Sequence, residues 1–378
     1  MQENELMVEQ LRMFDKQAEI ELEVKDGKPY YTGWLLCVSD GLPDNLLVDG
    51  DLICYAESTK LPNGLKVNGL LDISQTDIIE IPDDCEFKSL ILRHAKVTKL
   101  RDNLELDELQ AYKSSLTALP KSLKVKELLD ISDTKITEIP NDCEFGCLHM
   151  KETKIKKLRD NLVIDCLSAM DSSLTELPKN LVVYGGLDIE NTIINHLSDD
   201  CLAPSVYCNF EPNDKRYEKG YVGYYKLKDE IVNINLPYGR EFLHVDGILS
   251  EVIEKRGNVY HVRNGVNKPI SYVITDGNGH WAHGDTLEKA KQDLRYKMSA
   301  RDKSEYEKLT LDSELTFNES VACYRVITGA CRAGTQDYLE HRLPEPKKEK
   351  YSIKEIIELT KDEYGGKEFR EFFENDNL

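Results

Sequence analysis

The sequence predicts a β-rich α+β chain: a β-solenoid of short coils with an N-terminal helix-and-hairpin cap and a C-terminal α+β domain. Three observations predict it. Leu61-Pro62-Asn63-Gly64-Leu65-Lys66-Val67 recurs as Leu119-Pro120-Lys121-Ser122-Leu123-Lys124-Val125 and as Leu177-Pro178-Lys179-Asn180-Leu181-Val182-Val183, each 58 residues on. Units of 19 or 20 residues lie inside each long period, and self-similarity at a fixed short period marks a solenoid. After Phe210 the repeat gives way to aromatic strands and then to capped helices, the order expected of an α+β domain.

The first segment, residues 1–40, serves as the cap. Glu5 to Phe14 predicts an amphipathic helix with Leu6, Leu11 and Phe14 on its apolar stripe. Ala18 to Val24 alternates apolar and polar residues, Asp26-Gly27 marks a turn, and Tyr30 to Val38 supplies a second strand. A solenoid's first coil needs such a cover over its open end.

Residues 41–210 hold about nine coils of 19–20 residues, grouped in 58-residue triplets. The clearest runs from Leu129-Asp130-Ile131-Ser132-Asp133-Thr134 to Ile136 and Ile139-Pro140. Leu129 and Ile131 point inward from a short strand while Asp130 and Ser132 point out. Ile136 and Ile139 fill the returning segment, and Pro140 turns the chain where no ladder donor is needed. A coil this short leaves no room for a helix on its convex side.

These residues resemble the short bacterial leucine-rich repeat whose coils end in Leu-Pro, with Thr134 where that family usually has Asn. The resemblance covers about residues 41–210. It implies that Thr76, Thr134, Thr153, Thr192, Ser114 and Ser172 bond the backbone of adjacent coils, as the family's Asn ladder does. Secreted bacterial effectors with such repeats can carry a ubiquitin ligase domain with a Cys-x-Asp nucleophile. No cysteine here is followed two residues later by Asp, so that activity is not expected.

The triplet also accounts for recurring chemistry. Asp72, Asp130 and Asp188 form one column, expected from inheritance and solvation rather than from metal binding. Cys85, Cys143 and Cys201 form another, expected as small buried hydrophobes. No Cys-x-x-Cys pair exists among the ten cysteines, so free structural thiols in a reducing compartment are expected. The net charge is −20, of which −16 falls in residues 1–210. Phosphate-backbone binding needs clustered Lys and Arg, so nucleic acid is not the expected ligand. No apolar run approaches the length needed to span a bilayer and no signal peptide is expected; the expected location is cytoplasmic, in a bacterium or an infected host cell.

Residues 211–378 follow. Tyr221 to Leu227, Glu241 to Val245, Leu249 to Ile253, Val259 to Val262 and Ile270 to Thr275 predict strands, and Asp276-Gly277-Asn278-Gly279 predicts a hairpin turn. Capping boxes at Asp285-x-x-Glu288, Thr316-x-x-Glu319 and Ser352-x-x-Glu355 each open a helix. A linker lies near residues 343–350. From Asp276 to His280 and from Arg325 to Cys331 this region loosely resembles uncharacterised proteins of gut bacteria and their phages. That resemblance implies no known activity.

The solenoid's strand face is the natural binding surface. Tyr55, Arg93, His94, Tyr112, Lys113, Lys151, Met170, Tyr207 and Phe210 are its candidate partner-binding residues, being of types common at interface centres or well placed to support them. A metal or catalytic role is weighed for His280, His283, Asp285, Cys323 and His341. Residues three apart on a strand point to opposite faces, which weakens His280 and His283 as a chelating pair. Apolar neighbours make Cys323 a core residue. The expectation is therefore no cofactor, no metal and no enzyme: a non-enzymatic module that binds another protein. If a phage or mobile element encodes it, the partner is a host protein such as a component of antiviral defence. An enzyme in the C-terminal domain acting on nucleic acid, nucleotide or protein, and an acidic nucleic-acid mimic, are the alternatives. The oligomeric state is left open.

Overall fold

A computed structural model describes residues 23–37, 41–220, 223–228, 231–236, 240–299, 301–344 and 346–374. The chain is β-rich, with a β-solenoid of about nine turns and a few helices. It divides into two compact units. The first is Met1–Arg159 with Leu167–Leu177 and Ile189–Ile194; the second is Asp160–Cys166, Pro178–Asp188 and Asn195–Leu378.

In the first unit, short coil strands pair in parallel from one coil to the next; most span three residues, while Lys124–Asp130 and Glu144–His149 run on for seven and six. The inward leucines align in a single row: Leu35 with Leu52, Leu52 with Leu71, Leu71 with Leu90, Leu90 with Leu109, Leu109 with Leu129, and Leu129 with Leu148. Each is at most 1% exposed, so the row forms a dry spine. A second ladder precedes the first in each coil, as in Glu105–Leu106, Lys124–Val125 and Glu144–Phe145. Among the described residues every helix lies after residue 286, in keeping with coils too short for one.

Coil corners pass through left-handed backbone at many positions. One corner column is Gln75, His94, Lys113, Asp133, Glu152 and Asp171, all with φ between 53° and 58°. Ile73, Ile131 and Met150 accept hydrogen bonds from Thr76, Thr134 and Thr153 at 2.7–2.8 Å. These threonines therefore bond within their own coil, three residues back, and not across coils as the Asn-ladder resemblance implies. A hydroxyl on so short a stem reaches the carbonyl its own turn presents.

Aspartate side chains are among the groups that tie one coil to the next. Asp44 Oδ1 accepts from the Asn63 amide and Asp102 Oδ1 from the Lys121 amide, both at 2.9 Å. From the other side, Asp142 Oδ2 accepts from the Ser122 amide at 2.9 Å. The Asp72 and Asp130 carboxylates accept from the amides of Ser74 and Ser132, two residues on, so that column is occupied in shaping a turn.

The cap differs from expectation. The helix expected over Glu5–Phe14 lies outside the described residues. Glu23–Lys25 and Lys28–Thr32 form the hairpin, but the expected second strand divides. Lys28–Thr32 pairs with Leu47–Asp49, while Leu35–Cys37 already belongs to the coil stack. The coils thus begin before residue 41, because Gly33, at φ 99°, breaks the strand.

In the second unit, Tyr224–Leu227 pairs antiparallel with the coil strand Ser205–Tyr207, and Tyr217–Lys219 pairs with it in turn. These two strands continue the coil sheet beyond the boundary expected at residue 211. A six-stranded antiparallel meander follows: Ile231–Leu236, Arg240–Val245, Ile248–Arg256, Val259–Arg263, Ser271–Thr275 and Trp281–Gly284. The helices Leu287–Met298, Phe317–Thr328, Arg332–His341, Ile353–Thr360 and Gly366–Glu374 come after it. The capping boxes at Thr316 and Ser352 form as expected. At the first helix Thr286 is the N-cap rather than Asp285, because the Asp285 carboxylate bonds Lys289 Nζ at 2.7 Å instead.

Eight of the cysteines are buried thiols. Cys147 and Cys166 are disulfide-bonded, which corrects the expectation of free thiols for those two. Each sits one residue before its coil's inward leucine, at the outward position of its strand. Cys85 and Cys143 sit under the turn as expected, each within 3.6 Å of a proline carbonyl. Burial pushes the Cys85 thiol up to about 11.

Candidate functional site

The expected partner-binding residues of the first unit lie mostly past the strand ends. The strands finish at Cys54, Ile91, Gln110 and His149, so Tyr55, Arg93, His94, Tyr112, Lys113 and Lys151 fall one to three residues beyond, at the corner. Strand alternation holds only as far as the strand does, and three of these four strands are only three residues long. Outward strand positions include Asp72, Ile91, Gln110, Asp130 and His149. The repeat register marks them, one residue after each inward leucine.

Four corner residues nonetheless form a ridge. The rings of His94 and Tyr112 meet edge to face with centroids 5.6 Å apart. Lys113 Nζ lies 5.1 Å from the Tyr112 ring centroid and 3.6 Å from Asp133. The Arg93 guanidinium bonds the Gln110 side chain. Met170 follows the strand Cys166–Ser168 at the same kind of corner. In the second unit Tyr207 is on a strand, its ring 5.0 Å from that of Tyr224, and Phe210 is half-buried just past it.

The structure separates the five residues weighed for metal or catalysis. His280 is exposed and bonds Asp276 at 2.8 Å within the hairpin turn. Asp285 is exposed. Cys323 is fully buried in the helical core with Tyr324, Ile327 and Phe369, where burial pushes its thiol up to about 12. His341 ends the Arg332–His341 helix, and its side chain lies outside the described residues. His283 alone enters a cluster of functional groups.

That cluster joins a hairpin, a strand and two helices of the second unit. Asp246 and Gly247 form the two-residue turn between Arg240–Val245 and Ile248–Arg256, with φ of 53° and 76°. Asp-Gly is suited to such a turn because both positions need left-handed backbone. The turn is buried: Asp246 is 7% exposed. Lys297, in the last turn of Leu287–Met298, places Nζ 2.6 Å from Asp246 Oδ1 and 3.0 Å from the Trp281 carbonyl oxygen. The same ammonium lies 4.0 Å from the Tyr364 ring centroid.

Cys331 is the N-cap of Arg332–His341. Its sulfur accepts from the Gly334 amide and donates to Asp246 Oδ2, both at 3.2 Å. His283 is 2% exposed with Nδ1 3.8 Å from Asp246 Oδ2, beyond hydrogen-bond reach. Both of its ring nitrogens are buried without a hydrogen-bond partner. Burial opposes ionisation of Asp246, but His283 and Lys297 outweigh it and hold the carboxyl at about 2. Burial pushes the Cys331 thiol well above its usual range, so the resting cluster holds one carboxylate, one ammonium and a neutral thiol.

A thiol–imidazole–carboxylate relay needs the imidazole between the other two groups. Here the carboxylate stands between sulfur and imidazole, so the cluster is not wired as a cysteine nucleophile. Asp246 and Cys331 also line a cleft of about 80 Å³. Its walls include Phe317, Tyr324, Tyr338 and Leu359, and Arg342 and Glu363 add an ion pair of 2.7 Å to the lining.

The sequence reading missed Asp246, Lys297 and Cys331 as partners of His283. Asp246 is legible only as the first half of a turn. Cys331 stands beside a helix start that no Ser, Thr, Asp or Asn announces. Among the described residues no helix is long and apolar enough to cross a membrane. No protein-family model, no curated protein and no solved structure matches the chain.

Proposed function

We propose that the chain is a non-enzymatic protein-binding module of leucine-rich-repeat-like type, capped at its N-terminus by the hairpin. The observation that carries this reading is the corner ridge of the first unit, where Arg93, His94, Tyr112 and Lys113 stand side by side on successive coils. Arg and Tyr are enriched at the energetic centres of interfaces. An array of stacked coils presents such residues as one extended surface. The partner that fits is a protein offering acidic and aromatic groups to this ridge.

The test is capture of partners from lysate by the full chain and by an Arg93→Glu, Lys113→Glu, Lys151→Glu variant of unchanged circular dichroism. The expected result is a defined protein, identified by mass spectrometry and resistant to competing polynucleotide, that the wild-type chain retains and the variant loses by about tenfold or more, the scale of a single hot-spot loss. Equal capture by both chains would remove the ridge as the binding surface.

A further inference from the structure

We propose that Asp246, His283 and Cys331 together bind one divalent transition-metal ion of the zinc type, with a fourth coordination position on the side of the cleft. The sequence alone gives no metal site, and the protein-binding reading above neither requires nor excludes this one.

The first support is convergence. One donor atom from each of the three side chains lies within 4.8 Å of the other two. Asp246 Oδ2 is 3.2 Å from Cys331 Sγ and 3.8 Å from His283 Nδ1. Zinc bonds of about 2.0–2.3 Å place neighbouring ligands of a tetrahedral centre about 3.3–3.8 Å apart. The donors therefore stand close to ligand spacing already. The order that fails as a proton relay is no obstacle here, because ligands need only share a centre.

The second support is His283 itself. A buried imidazole normally has a hydrogen-bond partner on at least one nitrogen. This one has none, although the ring faces a carboxylate and a thiol. A metal ion supplies the missing partner. The third support is the neighbour of the ligands. Lys297 holds Asp246 through Oδ1 and leaves Oδ2 toward the cluster, the kind of outer hydrogen bond that orients a ligating carboxylate. The Gly334 amide positions the sulfur in the same way.

The mixed nitrogen, oxygen and sulfur donor set selects a zinc-type ion over magnesium or calcium, which prefer all-oxygen sites. As the sulfur–metal bond forms, the Cys331 thiol loses its proton to solvent. Two positive charges then meet the Asp246 carboxylate, the Cys331 thiolate and the Lys297 ammonium, which leaves the centre with one net positive charge. The fourth position accordingly favours an anion or a hydroxide. Asp246 and Cys331 both line the cleft, which gives that fourth ligand its approach.

The experiment titrates cobalt(II), as the probe ion, into the chelator-treated full chain. Absorbance reports the thiolate-to-cobalt charge-transfer band and the intense visible bands of a four-coordinate centre. One equivalent is expected to saturate both bands, and zinc is expected to displace the cobalt. Cys331→Ser is expected to abolish the charge-transfer band, and His283→Ala to weaken binding by about tenfold or more. Cys166→Ser, outside the cluster, is expected to leave both bands in place. Absence of a one-equivalent band in the folded wild-type chain overturns the proposal, whatever the variants do. So does a charge-transfer band that survives in folded Cys331→Ser.

Discussion

Arg159 shows how a single residue fastens one coil to the one before it. Its guanidinium donates to the Cys143 carbonyl oxygen at 2.6 Å, and Arg101 meets the Cys85 carbonyl oxygen in the same way one period earlier. In the second unit Arg216 reaches the Cys201 carbonyl oxygen at 3.3 Å, although the repeat has faded there. In the sequence Leu100-Arg101 and Leu158-Arg159 stand where other coils carry Leu-Pro, and nothing marks Arg216. Their role becomes visible once the cysteine carbonyl is seen to face them. Lys297 carries higher stakes. Replacing it with methionine leaves Asp246 buried and without its ammonium, which is expected to cost about 3–5 kcal/mol, measured as a loss of unfolding free energy in urea. A change under about 1 kcal/mol, the range of an exposed pair, would mean that Lys297 does not neutralise Asp246.

Short elements depend on their ends. In the Ile353–Thr360 helix, Glu355 bonds Lys348 Nζ at 2.6 Å and the Ser352 amide at 2.9 Å. The Lys348 bond first, and the Ser352 capping bonds after it, hold its carboxyl at about 2, below the ordinary 4.5. A depressed acid stabilises the fold above its unfolded pKa, and that stability is lost as pH falls from about 4.5 through about 2. The acid limb of unfolding is expected to be shallower in Glu355→Gln across that window, as followed by circular dichroism, and superposable profiles would contradict the cap's role. The junction between a coil's two ladders obeys a different constraint. A Cβ on Gly146 would stand 2.4 Å from the Lys126 carbonyl oxygen, so Gly146→Ala is expected to lower stability by about 1–3 kcal/mol, read as a fall in Tm. An unchanged Tm would show that the junction can open. Element existence was largely legible, because the 19- and 20-residue spacing and two of the three capping boxes state it outright. The strand Ile231–Leu236 was not, since its two asparagines are uncommon in strands. The corner ridge was misplaced onto strands because alternation carries no signal for where a three-residue strand stops.

At the scale of the whole molecule, the two compact units interleave along the chain, and residues 160–166 and 178–188 belong with the second. Within that unit Asp165 Oδ1 accepts from the Val266 amide at 2.7 Å, and Tyr184 bonds Glu251 at 3.3 Å. A sequence repeat cannot reveal such ties, because Asp165 and Tyr184 obey the coil pattern while their partners lie outside it. The boundary expected at residue 211 therefore cuts through a sheet. A fragment ending at residue 228 keeps the pairing of Ser205–Tyr207 with Tyr224–Leu227, and is expected to melt several degrees above one ending at 210, on a scale of about 2–4 °C per kcal/mol for a chain of this length. Equal melting temperatures would place the edge of the coil stack at Phe210 after all.

The aspartate ties have a consequence for growth of the array. Asp44 and Asp102 occupy the same place in successive periods, as do Cys85 and Cys143 with the arginines that clasp them. The interchangeable brick is thus three coils thick, not one. Excising residues 88–145 would join Phe87 to Gly146, restoring the junction that Phe145 makes with Gly146 now, and every surviving tie would meet its proper mate. Removing a single coil would set mismatched corners against each other. With coils about 4.8 Å apart, the stack lengthens or shortens in steps of roughly 14 Å, so its span is a quantised ruler whose graduation was set by gene duplication.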